Sequence, residues 1–226
     1  TMFAIAMEAR RLGIARKPMI ATLNAVVPQL AREAMEAYPG KKLLIQPTTW
    51  GDPGSPTGRD TFMSRLATQD YDVAIVSHET LTSIDNDREV VRERINERIR
   101  EIKAAKAAAE ASGGKGKDPA KSRYVSSLAK MLENEQQKIA ELHSHVLKKD
   151  HVSFGDIGTD LLIVDEAHAF KNLPLITAQE GVKGLGSGSS KRSEDLLMKI
   201  RALHKLHGAE RGVVLATGTP ISNTMT

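Results

Sequence analysis

Four consecutive branched apolar residues, Leu161-Leu162-Ile163-Val164, run straight into Asp165-Glu166-Ala167-His168. A strand with no polar alternation is buried on both faces, and such strands belong to parallel sheets covered by helices. This run constrains the chain to an α/β layer architecture in which Asp165 and Glu166 emerge at a strand's carboxyl end, where open α/β sheets bind ligands. Two neighbouring carboxylates there suit nucleotide hydrolysis. An Asp holds a magnesium ion through its water shell, and an adjacent Glu accepts a proton from the water that attacks a γ-phosphate. The plain alternative is a strand that ends in a solvated acidic turn. The Ala-His that follows favours the site.

The rest of the chain supplies further strands and helices in alternation, the pattern of a parallel sheet covered on both faces. Residues 1–13 carry apolar side chains at helical spacing and stop at Gly13. Pro18 then precedes a strand over Met19–Leu23. Asn24 is expected to cap the next helix, with Pro28 in its first turn and Pro39-Gly40 at its end. Leu43–Gln46 reads as another strand, 47–59 as a surface loop, Asp60 as the cap of a helix through Thr68, and Val73–Ser77 as a strand.

A second motif lies about fifty residues beyond the first. Arg211-Gly212-Val213-Val214-Leu215-Ala216 is a short apolar strand that runs into Thr217-Gly218-Thr219-Pro220, a turn of small hydroxyl and glycine residues. Asp165-Glu166-Ala167-His168 with Lys171-Asn172 after it, and Thr217-Gly218-Thr219-Pro220 with Asn223 after it, resemble motifs II and III of superfamily-two helicases. The Swi/Snf-type branch is the closer likeness, because DEAH-box RNA helicases carry Ser-Ala-Thr at motif III. The resemblance implies a RecA-like P-loop NTPase fold and a first motor lobe of an ATP-dependent translocase on double-stranded DNA, with ATP and Mg2+ as cofactors. It further implies that Asp165 positions the metal, Glu166 orients and deprotonates water, and His168 with Thr217 and Thr219 links the nucleotide to the DNA-bound state. Motifs Ia and Ib of the family touch the nucleic-acid backbone; the matching positions are Thr22 and Asn24, and Ser77 and His78. These four can equally serve as caps and turns.

On the same resemblance the first helix is the one that follows a phosphate-binding loop, whose signature ends Gly-Lys-Ser/Thr. Thr1 is then the hydroxyl residue on magnesium, and the chain starts just after the lysine. Gly184-Leu185-Gly186-Ser187-Gly188-Ser189-Ser190-Lys191 is rich in glycine but lacks the Gly-x4-Gly-Lys-Ser/Thr spacing, and reads as a flexible loop. The arginine that stabilises the transition state comes, in this family, from a second RecA-like lobe of the full-length protein, so the isolated chain is expected to hydrolyse ATP poorly or not at all.

Between 87 and 150 the character changes. Val91, Ile95, Ile99 and Ile102 form one apolar stripe among charged residues, and Val125, Leu128, Leu132, Ile139, Leu142 and Val146 keep a three-four rhythm. Ser112–Pro119 between them reads as a turn. We expect an antiparallel helical hairpin inserted into the lobe, dividing the chain into 1–86, 87–150 and 151–226. The insertion holds 15 Lys and Arg against 11 Asp and Glu, and the remainder 17 against 17, so the whole formal excess of +4 lies in the hairpin. Its dense mixture of signs fits a solvated spacer or an arm for a protein partner. Its tip, with Lys115 and Lys117, suits phosphate contact.

At 226 residues and 40% hydrophobic content the chain is long enough for a large domain plus an insertion. No apolar stretch nears the ~20 residues of a membrane span, and no signal peptide is recognisable, so a cytoplasmic protein without membrane association is expected. With no cysteine there are no disulfides or thiolate zinc sites, and the seven histidines form no ligand set. A rival class is a binding scaffold that keeps a motor fold without hydrolysing nucleotide.

Overall fold

The computed structural model describes residues 1–47, 49–50, 57–111, 119–144, 152–171, 173, 190–208 and 211–219, without the side chains of 57, 119–121 and 141–144. The expected site residues Lys115, Lys117 and Pro220, together with Asn172 and Asn223, lie outside the described residues.

Two compact units are distinguished: Thr1–Asp87 with His151–Lys171 and Asp195–Ser222, and Arg88–Asp150 with Asn172–Glu194 and Asn223–Thr226. The first holds a five-stranded sheet of β1 (Pro18–Thr22), β2 (Leu43–Ile45), β3 (Val73–Ser77), β4 (Leu161–Val164) and β5 (Val213–Leu215). The strand order is β2-β3-β1-β4-β5 and every pairing is parallel. Central strands β1, β3 and β4 are buried at every position, which is why their sequences show no alternation.

One face of the sheet is covered by helices α1 (Met2–Arg11) and α2 (Val27–Ala37). Phe3, Ala6 and Met7 of α1 and Ala31 and Ala34 of α2 cluster with Ile20, Ile75 and Ile163 of the strands. On the opposite face Met19, Ala21, Ala74, Val76, Leu162 and Val164 are equally inaccessible, so both faces are covered. The fold is a RecA-like parallel α/β arrangement.

Two expected caps are corrected. α2 starts at Val27 behind Val26 with no side-chain cap, while the Asn24 side chain accepts a hydrogen bond from Gln46 Nε2 at 3.3 Å. Helix α3 (Thr57–Thr68) begins before Asp60, which sits in its first turn, where its charge favours the positive helix end. At the far end of α3, Lys17 Nζ donates to the Ala67 carbonyl at 2.9 Å and to the Ile157 carbonyl at 3.3 Å. It thereby ties α3 to helix α7 (Phe154–Ile157), a short element that sequence periodicity did not predict.

Helix α4 (His78–Ser83) follows β3 directly, and the Ser77 side chain caps it by accepting from the Thr80 amide. Beyond α4, the segment at Asp85 meets the segment at Ser153 in a parallel bridge. Asp87 Oδ1 accepts from Ser153 Oγ at 2.7 Å and from the Gly155 amide at 3.0 Å. Helix α8 (Lys191–His207) carries a wholly buried Lys199, whose Nζ donates to the Ile84 carbonyl at 2.9 Å and to Asp195.

The second unit contains α5 (Arg88–Ala111) and α6 (Pro119–Ser144), packed side by side. Their ends are so close in sequence that they run antiparallel. The buried stripe differs from the one expected. Val90, Arg94, Ile95 and Ile102 are buried on α5, and Leu128 and Glu135 on α6, while Val91, Ile99, Val125, Leu132 and Ile139 are half-buried. Charged residues enter this seam because they are paired: Arg98 lies 3.4 Å from Glu135, which also accepts from Lys138 at 2.9 Å.

Candidate nucleotide site at the carboxyl edge of the sheet

The carboxyl ends of β1, β3, β4 and β5 converge on the turn that contains Asp165 and Glu166. Strand pairing continues past β4, with the Asp165 amide donating to the Ala21 carbonyl at 2.8 Å and the Ala167 amide to the Ala216 carbonyl at 2.9 Å. Between these anchors Glu166 adopts φ 45° and ψ 47°, the only non-glycine residue with positive φ among those described. A left-handed Glu costs about 1–3 kcal/mol and persists only where its surroundings dictate it. Here the backbone bonds on either side do so. The conformation sends two successive carboxylates out of the strand end, and a 3-10 helix over Ala167–Phe170 follows.

Each carboxylate oxygen of Asp165 has a donor: Thr22 Oγ1 reaches Oδ2 at 2.8 Å, and the Glu166 amide reaches Oδ1 at 3.0 Å. Glu166 keeps about 40% of its side-chain surface open, which leaves it able to meet a solvent molecule. Its Oε2 lies 3.1 Å from His168 Nδ1, which is also 3.1 Å from Thr217 Oγ1 and 3.4 Å from Thr219 Oγ1. The Thr219 amide donates to Thr217 Oγ1 at 3.1 Å. One imidazole nitrogen therefore joins the acidic turn after β4 to the hydroxyl turn after β5. Gly218 between the threonines has open space around its α-carbon.

Residues assigned by resemblance to nucleic-acid contact fall elsewhere. Thr22, Ser77 and His78 have 0%, 1% and 0% of their surface accessible, so their side chains cannot meet phosphates in this structure. Thr22 holds Asp165, Ser77 caps α4, and His78 Nε2 lies 2.9 Å from the Asp165 carbonyl oxygen. Asn24 is exposed. Gln46, which sequence reasoning passed over, accepts from the Ser77 amide at 2.7 Å and donates to Asn24, linking three strand ends. Nothing in a single polar residue at the end of a strand marks it for that role. Thr1 stands at the head of α1 in a cavity of about 440 Å³ with Phe3, Val26, Leu30, Glu33 and Tyr38, and Asp165 does not line that cavity.

A family model described as "Probable helicase domain" matches residues 1–226. The chain belongs to this helicase-domain family. No curated protein sequence and no solved structure matches it. Among the described residues of this helicase domain, no helix is long and apolar enough to cross a membrane.

Proposed function

We propose that this helicase domain is the first motor lobe of a Swi/Snf-type DNA translocase, coupling hydrolysis of Mg2+-ATP to engagement of double-stranded DNA. The observation that carries the reading is the acidic turn. Asp165 and the left-handed Glu166 project from a central strand end, and His168 bridges Glu166 to the Thr217 hydroxyl. A solvated acidic turn has no need of a strained backbone.

The donor set suits Mg2+, which takes one or two carboxylates and keeps several waters. Asp165 is steadied by one donor per oxygen, and each oxygen retains a lone pair for a water of the metal's shell. Thr1 is the further ligand implied by the resemblance. When bound, Mg2+-ATP supplies the phosphoanhydride to be cleaved. Glu166 accepts the proton of the attacking water, and His168 with Thr217 and Thr219 holds the Glu166 carboxylate in line. A second RecA-like lobe of the same protein supplies the arginine that completes the site. DNA contact is assigned to Asn24 and to Lys115 and Lys117 of the hairpin, since Thr22, Ser77 and His78 face inward.

The test is the DNA-stimulated ATPase of the natural polypeptide that carries this chain, compared with its Glu166→Gln variant. Activity that needs DNA and is lost in the variant supports the motor. Absence of Glu166-dependent hydrolysis sinks it and leaves a scaffold built on a motor fold.

A further inference from the structure

We infer that His78 is a positioning residue for hydrolysis, gripping the Asp165 carbonyl so that the Asp165–Glu166 peptide holds the one orientation that presents both carboxylates. This rests on the hydrolytic reading above.

The peptide plane between Asp165 and Glu166 is contacted along both of its polar edges. Its amide edge is bonded to Asp165 Oδ1 at 3.0 Å and its carbonyl edge lies 2.9 Å from His78 Nε2. Both edges of a single plane are therefore held by side chains. The next torsion along the chain is the φ of Glu166, at 45°. Rotating the plane would let Glu166 relax from the left-handed region into ordinary backbone, and would swing its carboxylate away from His168. A bond to the carbonyl opposes that rotation directly.

His78 is itself constrained on three sides. It has no accessible surface, and the contact of Nε2 with the Asp165 carbonyl offsets part of the cost of burying the imidazole. Its ring meets Phe170 edge-on, with centroids 4.9 Å apart and planes at 71°. Phe170 closes the 3-10 helix of the same acidic turn, so donor and acceptor are packed by one segment. The backbone of His78 is fixed by the Ser77 cap of α4.

The position of His78 in the sheet makes the bond informative. It follows β3, whereas Asp165 follows β4, and β1 lies between them. Strands are spaced about 4.8 Å apart, so the imidazole reaches across roughly two strand spacings. No ladder bond imposes such a contact. With Thr22 of β1 holding the Asp165 carboxylate, one side chain from a strand and one from the start of α4 grip a single residue by its side chain and by its backbone.

The experiment uses the natural polypeptide that carries this chain, with DNA present. His78→Phe keeps a ring against Phe170 and removes the donor, while His78→Gln restores an N–H at similar reach. Thermal midpoints confirm that both variants are folded. The expected result is a kcat about tenfold lower in His78→Phe with KM for ATP little changed, and recovery in His78→Gln to within about threefold. Equal kcat in His78→Phe and wild type overturns the inference, as does an equal fall in both variants. If His78→Phe does not fold, long-range 1H–15N NMR of the wild-type natural polypeptide decides. A proton on Nε2 supports the grip on the carbonyl, and a proton on Nδ1 alone overturns it. Should wild type show no Glu166-dependent hydrolysis, the motor reading fails, and the NMR result still reports whether His78 holds the turn.

Discussion

Lys199 Nζ lies 2.8 Å from both carboxylate oxygens of Asp195, at a place where Lys199 has no solvent-accessible surface. Burial pushes the Lys199 ammonium below its ordinary range, and the Asp195 charge works against that shift. Burial also pushes the Asp195 carboxyl up, opposed by Lys199 and by the Asn86 amide 2.6 Å away. Lys199 Nζ also donates to the Ile84 carbonyl at 2.9 Å and to Asn86 Oδ1 at 3.5 Å, which fixes α8 to the segment around Asp85. Removing Asp195 leaves an ammonium with carbonyl partners alone. Asp195→Ala is therefore expected to cost about 3 kcal/mol in urea unfolding. The double variant Asp195→Leu with Lys199→Met should cost clearly less than the two single changes combined, because no lone charge stays buried. Additive losses would show that the pair is not a unit.

Thr217 meets His168 Nδ1 through its hydroxyl and takes the Thr219 amide on the same oxygen. Thr217→Val keeps the side-chain shape and deletes both contacts. On the proposed mechanism, Glu166 loses a support of its orienting imidazole. kcat should fall by about tenfold, the equivalent of one hydrogen bond, with smaller change in KM. Steady-state ATPase assays with DNA present make the comparison. Unchanged kcat would mean that the link between the two turns does not serve hydrolysis.

How much of this was legible in the sequence depends on how each residue compensates its burial. Leu161–Val164 and Val73–Val76 are legible because a strand buried on both faces is apolar along its length except where a polar group finds a partner. Lys199 is not legible as a core residue, since Leu196, Leu197, Ile200, Leu203 and Leu206 already supply apolar side chains at helical spacing along this segment. The structure buries Leu196, Lys199, Ala202 and Leu203 instead and leaves Leu206 exposed. The Lys is admissible there only because Asp195 and the Ile84 carbonyl receive it, and the carbonyl comes from more than a hundred residues away. Arg94 and Glu135 escaped the hairpin pattern for the same reason. At the acidic turn the carboxylates were visible as a motif. Thr22 and His78 were visible only as polar residues at strand ends, and whether such a residue faces outward or inward is decided by tertiary packing.

Acid should weaken the fold through specific carboxylates. Burial pushes Asp72 up, but the Lys42 amide at 2.8 Å and the charges of Arg10 and Lys41 outweigh it and hold the carboxyl below its ordinary value of 3.8. In Asp156, the amide and hydroxyl of Ser153 lower the carboxyl, and burial opposes them weakly. A carboxyl whose folded value is depressed contributes stability that is present above the ordinary value and lost as pH falls through the lower, folded one. The stability gap between wild type and Asp72→Asn should thus be open at neutral pH and close as pH falls through the acidic range below the ordinary carboxylate value. Urea unfolding across that range tests it, and a gap that persists in acid would mean that Asn disturbs packing and not charge.

The excess positive charge of the chain lies within 87–150, yet its helices expose both signs, so a DNA-tracking arm and a solvated protein-docking arm predict different salt behaviour. Side chains that meet phosphates release counterions, and each such contact adds about 0.9 to the slope of log K against log salt. Lys115, Lys117, Lys121 and Arg123 are the four cations in or nearest in sequence to the 112–118 segment that joins α5 to α6. If they contact the duplex, replacing all four by Gln should lower the slope by about 3 to 4 and weaken binding alike on unrelated sequences. Fluorescence anisotropy over a range of KCl concentrations measures both. A lower affinity with an unchanged slope would point to altered hairpin folding, and no change in either would leave the arm as a solvated spacer or a protein-docking element. In that case DNA engagement falls to Asn24 and the exposed carboxyl edge of the sheet.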